Sequence, residues 1–262
     1  MKALTAVKTM VAVGDNEFRL RRKVAAWGIH LLTASGVVLG FLAILAIFEG
    51  QWQIAMALML ITTIIDGFDG ALSRLVRVKE VLPGFDGALL DNIVDFMTYV
   101  LVPAIFIFQA NLVPEAWLVV VPAIILLSSS YQFAQEDAKT EDHFFKGFPS
   151  YWNIVIIYFV LLGTSPIFNL AVLLACGIMV FVPIKYLYPS RMTVGRGITV
   201  TLTVLWVGVM GLLIWQYPML NQWLIGASLF YVAYYVIYSL YANVRPLTKR
   251  PLNKPQRRPR RK

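Results

Sequence analysis

Long apolar runs alternate along the chain with short clusters of Lys and Arg. A run of about 20 apolar residues is long enough to cross hydrocarbon as a helix. Eight such runs stand at 25–48, 52–74, 87–109, 115–135, 150–164, 167–185, 197–216 and 222–243. The pattern predicts an all-α integral membrane protein with eight transmembrane helices. The fifth run is short and meets the sixth through Gly163-Thr164-Ser165-Pro166, which makes seven spans the competing count. Composition agrees with the membrane reading: 59% of the residues are hydrophobic and 14% charged, against roughly 25% charged in soluble domains.

Charge placement favours eight. Lys and Arg stay on the cytoplasmic side of a membrane, whereas acids contribute little to orientation. Six basic residues precede the first run, among them Arg19, Arg21, Arg22 and Lys23. Arg74, Arg77 and Lys79 follow the second, Lys139 and Lys146 the fourth, and Lys185, Arg191 and Arg196 the sixth; nine more follow the eighth. With eight spans every Lys and Arg falls on one face, and the opposite loops keep only Glu49 and Glu115. Both termini are therefore expected in the cytoplasm.

Segment 1–24 is expected to be cytoplasmic, with an interfacial helix over Ala3–Val13 and no cleavable signal. Segment 244–262 alternates prolines with basic residues and is expected to be a disordered tail drawn to the anionic leaflet, not to nucleic acid. Cys176 is the single cysteine, which excludes an internal disulfide framework.

Four aspartates carry the candidate chemistry. Asp66 and Asp69 lie three apart near the end of the second run; Asp91 and Asp95 lie four apart near the start of the third. Each pair projects from one helical face. An ionised group near hydrocarbon costs at least ~2.5 kcal/mol on insertion scales, so such a group calls for cations. Two acidic faces opposed would make an oxygen-rich pocket suited to divalent metal. Gly70 and Gly87 sit among the acids, at a cost of about 1 kcal/mol each relative to Ala, and leave room for a bulky group or a backbone to approach. Arg74 offers a donor fork for phosphate or carboxylate. His30 reads as a packed helix residue, His143 as a loop residue, and Thr33 and Ser35 as hydroxyls that bond back to their own helix or face a nucleotide.

These residues resemble the signature of the CDP-alcohol phosphotransferases, D-x-x-D-G-x-x-A-R followed by G-x-x-x-D-x-x-x-D. Asp66, Asp69, Gly70, Ser73 and Arg74, then Gly87, Asp91 and Asp95, occupy its eight positions, seven by identity. Ser73 stands where the family has alanine, and the spacer Leu75–Asp86 is longer than usual, which a cytoplasmic bulge can absorb. The resemblance implies a six-helix catalytic core over 25–185, with the loop and two further helices of 186–243 outside it. It also implies two divalent cations, Mg²⁺ or Mn²⁺, held by Asp66, Asp69, Asp91 and Asp95. Asp95 is implied to serve as general base, and Asp66, Gly70, Ser73, Arg74 and Gly87 to contact CDP. A homodimer in the bacterial inner membrane, active site toward the cytoplasm, is implied as well.

The stretches 131–153 and 181–191 resemble the bacterial branch of that family that uses CDP-diacylglycerol and free choline and yields phosphatidylcholine and CMP. On this reading Lys185 and Arg191 are placed for a lipid phosphate. A quaternary ammonium donates no hydrogen bond, so choline calls for aromatic faces and nearby negative charge; the candidates are Tyr151, Trp152, Tyr186, Tyr188, Glu136 and Asp137. The alternatives are a phosphatidylserine or phosphatidylglycerophosphate synthase and, from another class, a cation-coupled transporter. Acids gathered at one membrane face, without a second copy in 130–262, argue against the transporter.

Overall fold

The computed structural model describes residues 2–140, 142, 144–192 and 194–244, with side chains from 18 onward. The tail past Val244, Glu141 and His143 lie outside the described residues. Ten α-helices and one small sheet are seen among the described residues. Six helical segments are long and apolar enough to cross a membrane: Phe18–Phe48, Trp52–Val76, Gly87–Gln109, Glu115–Ala134, Arg196–Gln216 and Gln222–Val244. Leu31, Leu127, Ile167 and Trp215 project outward, as expected of a surface solvated by lipid rather than water.

Helix α1 (Lys2–Phe48) has no proline and runs unbroken into the first span, where a separate interfacial helix was expected. Helix α2 (Trp52–Val76) ends because Arg77 turns left-handed, its N–H capping the carbonyls of Ser73 and Arg74. The long spacer does not bulge freely. It forms a one-turn helix, α3 (Val78–Val81), whose Val78 is buried with Ala26 and Ile29 of α1. Asp86 then caps α4 (Gly87–Asp95), accepting the N–H groups of Ala88 and Leu89, each at 3.0 Å.

The third span is not one regular helix. A π-helical turn, Phe96–Leu101, separates α4 from α5 (Val102–Gln109). Pro103 explains the wider turn: it has no N–H to return to the carbonyl four residues back, and the neighbouring Val102 N–H bonds five back, to Met97. Helix α6 (Val120–Ala134) follows a short 3₁₀ turn.

Two further apolar helices are short. α7 (Trp152–Leu162) has 11 residues and α8 (Pro166–Met179) has 14, about 16 and 21 Å of helix against ~30 Å of hydrocarbon. They meet at Gly163, whose φ of +56° closes α7 with a left-handed turn, and at Ser165, which caps the N-terminus of α8.

The loops expected around 131–153 and 181–191 are partly a sheet. Strand β1 (Phe144–Lys146) pairs antiparallel with β2 (Lys185–Leu187), and Lys139 forms a bridge to Phe145 on the other side of β1. Helices α9 (Arg196–Gln216) and α10 (Gln222–Val244) close the fold. Hydroxyl pairs Thr199–Tyr234 and Thr203–Tyr231, both 2.7 Å, join them, and Gln53 of α2 donates to the last carbonyls of α9.

Candidate active site

Helices α2 and α4 bring three of the four aspartates together: Asp66, Asp91 and Asp95 each offer a carboxylate oxygen within 4.8 Å of the others. The approach of α4 to α1 is set by Gly36, where a Cβ would stand 2.6 Å from Val94 Cγ1. Gly40 does the same more gently opposite Thr98 and Met97. Asp69 is buried one step round α2, near enough to Asp91 for their charges to repel.

Two hydroxyls hold the α2 acids. Tyr99, on the π turn, donates to Asp66 Oδ2 at 2.7 Å, and Thr33 of α1 donates to Asp69 Oδ2 at 2.6 Å. Each bond fixes one carboxylate, and the Gly70 N–H also meets that of Asp69. Ser35 instead bonds back to Leu32 of its own helix. Gly70 admits Arg74, whose Nη1 would lie 3.3 Å from a Cβ there. Gly87 admits the buried ring of His30, which would meet a Cβ at 2.6 Å and also packs against Phe85 at 4.4 Å. Ser73 is half-buried on the last turn of α2.

Above the acids lies a group of rings. Tyr151 is its hub, with ring centroids 6.0 Å from Tyr99, 6.1 Å from Phe145 and 6.4 Å from Tyr235. Tyr188 stacks on Phe145 at 4.4 Å. Tyr186 packs edge-on to Phe148. Trp152, expected among the choline contacts, is fully buried at the start of α7, with Nε1 donating to Ser129 of α6 at 2.8 Å. Its ring packs edge-on to Phe148 at 5.0 Å. Asp137 is paired with Lys146 Nζ at 2.6 Å on the exposed loop, and Glu136 is exposed beside it.

The basic residues divide. Lys185 is engaged by Asp142, a partner not foreseen. Burial pushes the Asp142 carboxyl up, but hydrogen bonds from Lys185 and Thr140 outweigh it and hold the group below the usual carboxylate range. Arg191 is exposed, and together with Arg196 it lies close enough to Arg74 for the guanidiniums to repel one another. Lys139 lies within electrostatic reach of all four aspartates. Sequence reasoning passed over Tyr99, Lys139 and Tyr235. Tyr99 follows Asp95 by four residues, one turn along the same helix, and that spacing was the available signal.

A helical membrane core with clustered carboxylates at one end defines the class. Residues 30–184 match the family model described as CDP-alcohol phosphatidyltransferase, and the chain belongs to that family. Its similarity extends to particular relatives. It is 41% identical over 239 residues to the phosphatidylcholine synthase of Legionella pneumophila, covering 88% of this chain and 94% of that protein. It is 38% identical to that of Pseudomonas aeruginosa, covering 85% and 94%, and 38% identical to that of Borreliella burgdorferi, covering 70% and 78%.

Proposed function

We propose that this enzyme transfers the phosphatidyl group of CDP-diacylglycerol to choline, giving phosphatidylcholine and CMP. The observation that carries the reading is the convergence of Asp66, Asp91 and Asp95 within a chain so extensively similar to phosphatidylcholine synthases.

The donor set fits divalent metal, since three carboxylate oxygens lie within 4.8 Å of one another. Asp66, Asp69, Asp91 and Asp95 would hold two such cations, and oxygen-only ligands favour Mg²⁺ or Mn²⁺ over zinc. When bound, the cations supply charge stabilisation to the diphosphate of the donor lipid.

The protein side of the reaction is borne by named residues. The choline oxygen forms a bond to the phosphorus that carries diacylglycerol, the bond from that phosphorus to the CMP oxygen breaks, and the choline proton passes to Asp95. An alcohol is a poor nucleophile at neutral pH, and a carboxylate serves as base when proton transfer accompanies bond formation. Thr33 and Tyr99 keep Asp69 and Asp66 aimed inward. Ser73 and Arg74 border the CDP, with Gly70 making room for Arg74 and Gly87 for His30, and Arg191, beside Arg74, takes the lipid phosphate. Tyr151, Tyr186 and Tyr188 offer faces to the quaternary ammonium, each contact contributing ~0.5 to 2 kcal/mol, with Glu136 at the rim.

The same reading takes α7 and α8 as a fifth and sixth passage. Counted along the sequence with eight passages, all 23 Lys and Arg would fall on one side, which supports it through the positive-inside rule. It sets both termini and the site toward the cytoplasm of the bacterial inner membrane, in a homodimer.

The test is incorporation of labelled choline, serine, glycerol phosphate or inositol by purified protein with CDP-diacylglycerol and Mn²⁺. Choline is the expected acceptor. Strong transfer to a different alcohol, with little to choline, overturns the proposal.

A further inference from the structure

The family match ends at residue 184, one residue before β2 begins. Helix α10 therefore lies wholly outside it, yet it is joined to the site by a regular set of hydrogen bonds. β2 pairs with β1 through one edge only, and the N–H and C=O groups of Lys185 and Leu187 face the other way. Those groups are met by one stripe of α10. Tyr235 Oη donates to the Leu187 carbonyl at 2.9 Å, and Ser239 Oγ accepts the Leu187 N–H at 3.1 Å. Asn243 does both jobs at Lys185, its Oδ1 accepting the N–H at 2.8 Å and its Nδ2 donating to the carbonyl at 2.9 Å.

The spacing is what makes this work. Ser239 and Asn243 stand four apart, about 6 Å along a helix, and meet Leu187 and Lys185. Tyr235, a turn earlier, reaches the Leu187 carbonyl with its longer side chain. Two residues of a strand advance about 6.7 Å. The helix thus satisfies the free strand edge in register, where a third strand would otherwise be needed. Ser239 is 1% exposed, so its hydroxyl has no water to turn to.

The sheet held in this way has two faces. Phe144 and Leu187 are buried against Ala242 and Met192. Phe145 and Tyr186, paired across the strands, take the opposite face, and Lys139 is bridged to Phe145. From that face the rings run inward: Tyr188 on Phe145, Phe145 on Tyr151, Tyr151 on Tyr99, and Tyr99 onto Asp66. Tyr235 touches both ends of this arrangement, with its hydroxyl on β2 and its ring edge-on to Tyr151.

We infer that α10 is the positioning element for the acceptor alcohol: Tyr235, Ser239 and Asn243 hold β2 so that Tyr186, Tyr188 and Phe145 are set around Tyr151 beside the carboxylates. The inference rests on the choline reading above and assigns the second added helix a task in substrate selection. The acids that face the donor diphosphate lie on α2 and α4, and Arg191 lies past the strand residues that Tyr235, Ser239 and Asn243 bond.

The test uses the full chain in detergent or nanodiscs, with Ser239→Ala, Asn243→Ala, the pair combined, Tyr235→Phe as the mildest change, and Ser239→Thr as the variant that keeps a hydroxyl. Choline and CDP-diacylglycerol are varied separately. The double variant loses three hydrogen bonds to β2 and is expected to raise the choline KM about tenfold, at ~0.5 kcal/mol for each bond. Its kcat at saturating choline and its KM for CDP-diacylglycerol should stay within about twofold of wild type. Preference for choline over dimethylethanolamine should narrow, and Ser239→Thr should behave as wild type. A choline KM unchanged in the double variant and in Tyr235→Phe overturns the inference, as does a parallel loss in donor KM and kcat. If the wild-type enzyme used another alcohol, the choline reading would fail, and the same KM comparison with that alcohol would still decide the role of α10.

Discussion

Replacing Tyr99 by Phe removes one oxygen and nothing else from a fully packed position, so it isolates the bond that holds Asp66. Tyr99 is 4% exposed and donates to Asp66 at 2.7 Å. The ring keeps its place, leaving no cavity beyond the hydroxyl itself. A hydrogen bond to a charged group contributes ~1.5 to 3 kcal/mol, and losing a partner that orients a metal ligand typically lowers metal affinity by about 10- to 100-fold. The assay is CMP release from CDP-diacylglycerol and choline as Mn²⁺ is varied. Tyr99→Phe should shift half-activation to at least about tenfold higher Mn²⁺ while recovering much of the rate at saturation. An unchanged Mn²⁺ requirement in a folded variant refutes the claim that Tyr99 orients a metal-binding carboxylate.

Other perturbations probe other parts of the account. Gly36→Val places a Cβ against Val94, a stiff β-branched residue that cannot swing away; it should destabilise the protein by about 1 to 3 kcal/mol, read as a lower melting temperature with activity lost in step. Asp95→Asn should abolish CMP release at every choline concentration while CMP still inhibits or binds; full activity would remove Asp95 from the role of base. Asp142→Asn breaks the pair with Lys185. Because the Asp142 pKa is lowered on folding, the pair stabilises above the unfolded value of about 3.9 and fades as pH falls through the lower folded value. The variant should therefore lose at most about 1 kcal/mol near pH 7, with the difference closing in strong acid; a thermal shift that is independent of pH would contradict the assignment.

The parts of this molecule that were legible in the sequence are those in which one residue type has one strong physical meaning. Apolar runs marked the long spans, and carboxylates three and four apart in such runs marked the cluster of Asp66, Asp91 and Asp95 proposed as the site, because neither pattern has a cheap alternative in hydrocarbon. What escaped was relational. Trp152 sits beside Tyr151 in a loop full of rings, yet it turns inward to Ser129, and nothing in its own neighbourhood distinguishes an interfacial Trp from a buried one. Lys185 and Asp142 are 43 residues apart, and their pairing depends on a strand register that three-residue strands barely advertise. Tyr99 was hidden by chemistry: a tyrosine in a span reads as an interface anchor until the partner carboxylate is seen. The last helix posed the same difficulty. Its stripe of Tyr235, Ser239 and Asn243 looks like ordinary helix polarity until the bare edge of β2 is placed against it.

The central claim is that carboxylates of α2 and α4 converge to hold divalent cations where a nucleotide-linked lipid reacts. Its most direct test is titration of Mn²⁺ into purified protein, followed by the loss of the free-ion electron paramagnetic resonance signal, for wild type and for Asp91→Asn. The account predicts saturable binding by wild type, tightened by CDP, and its loss in Asp91→Asn. Equal binding by the two proteins, or none by either, contradicts it.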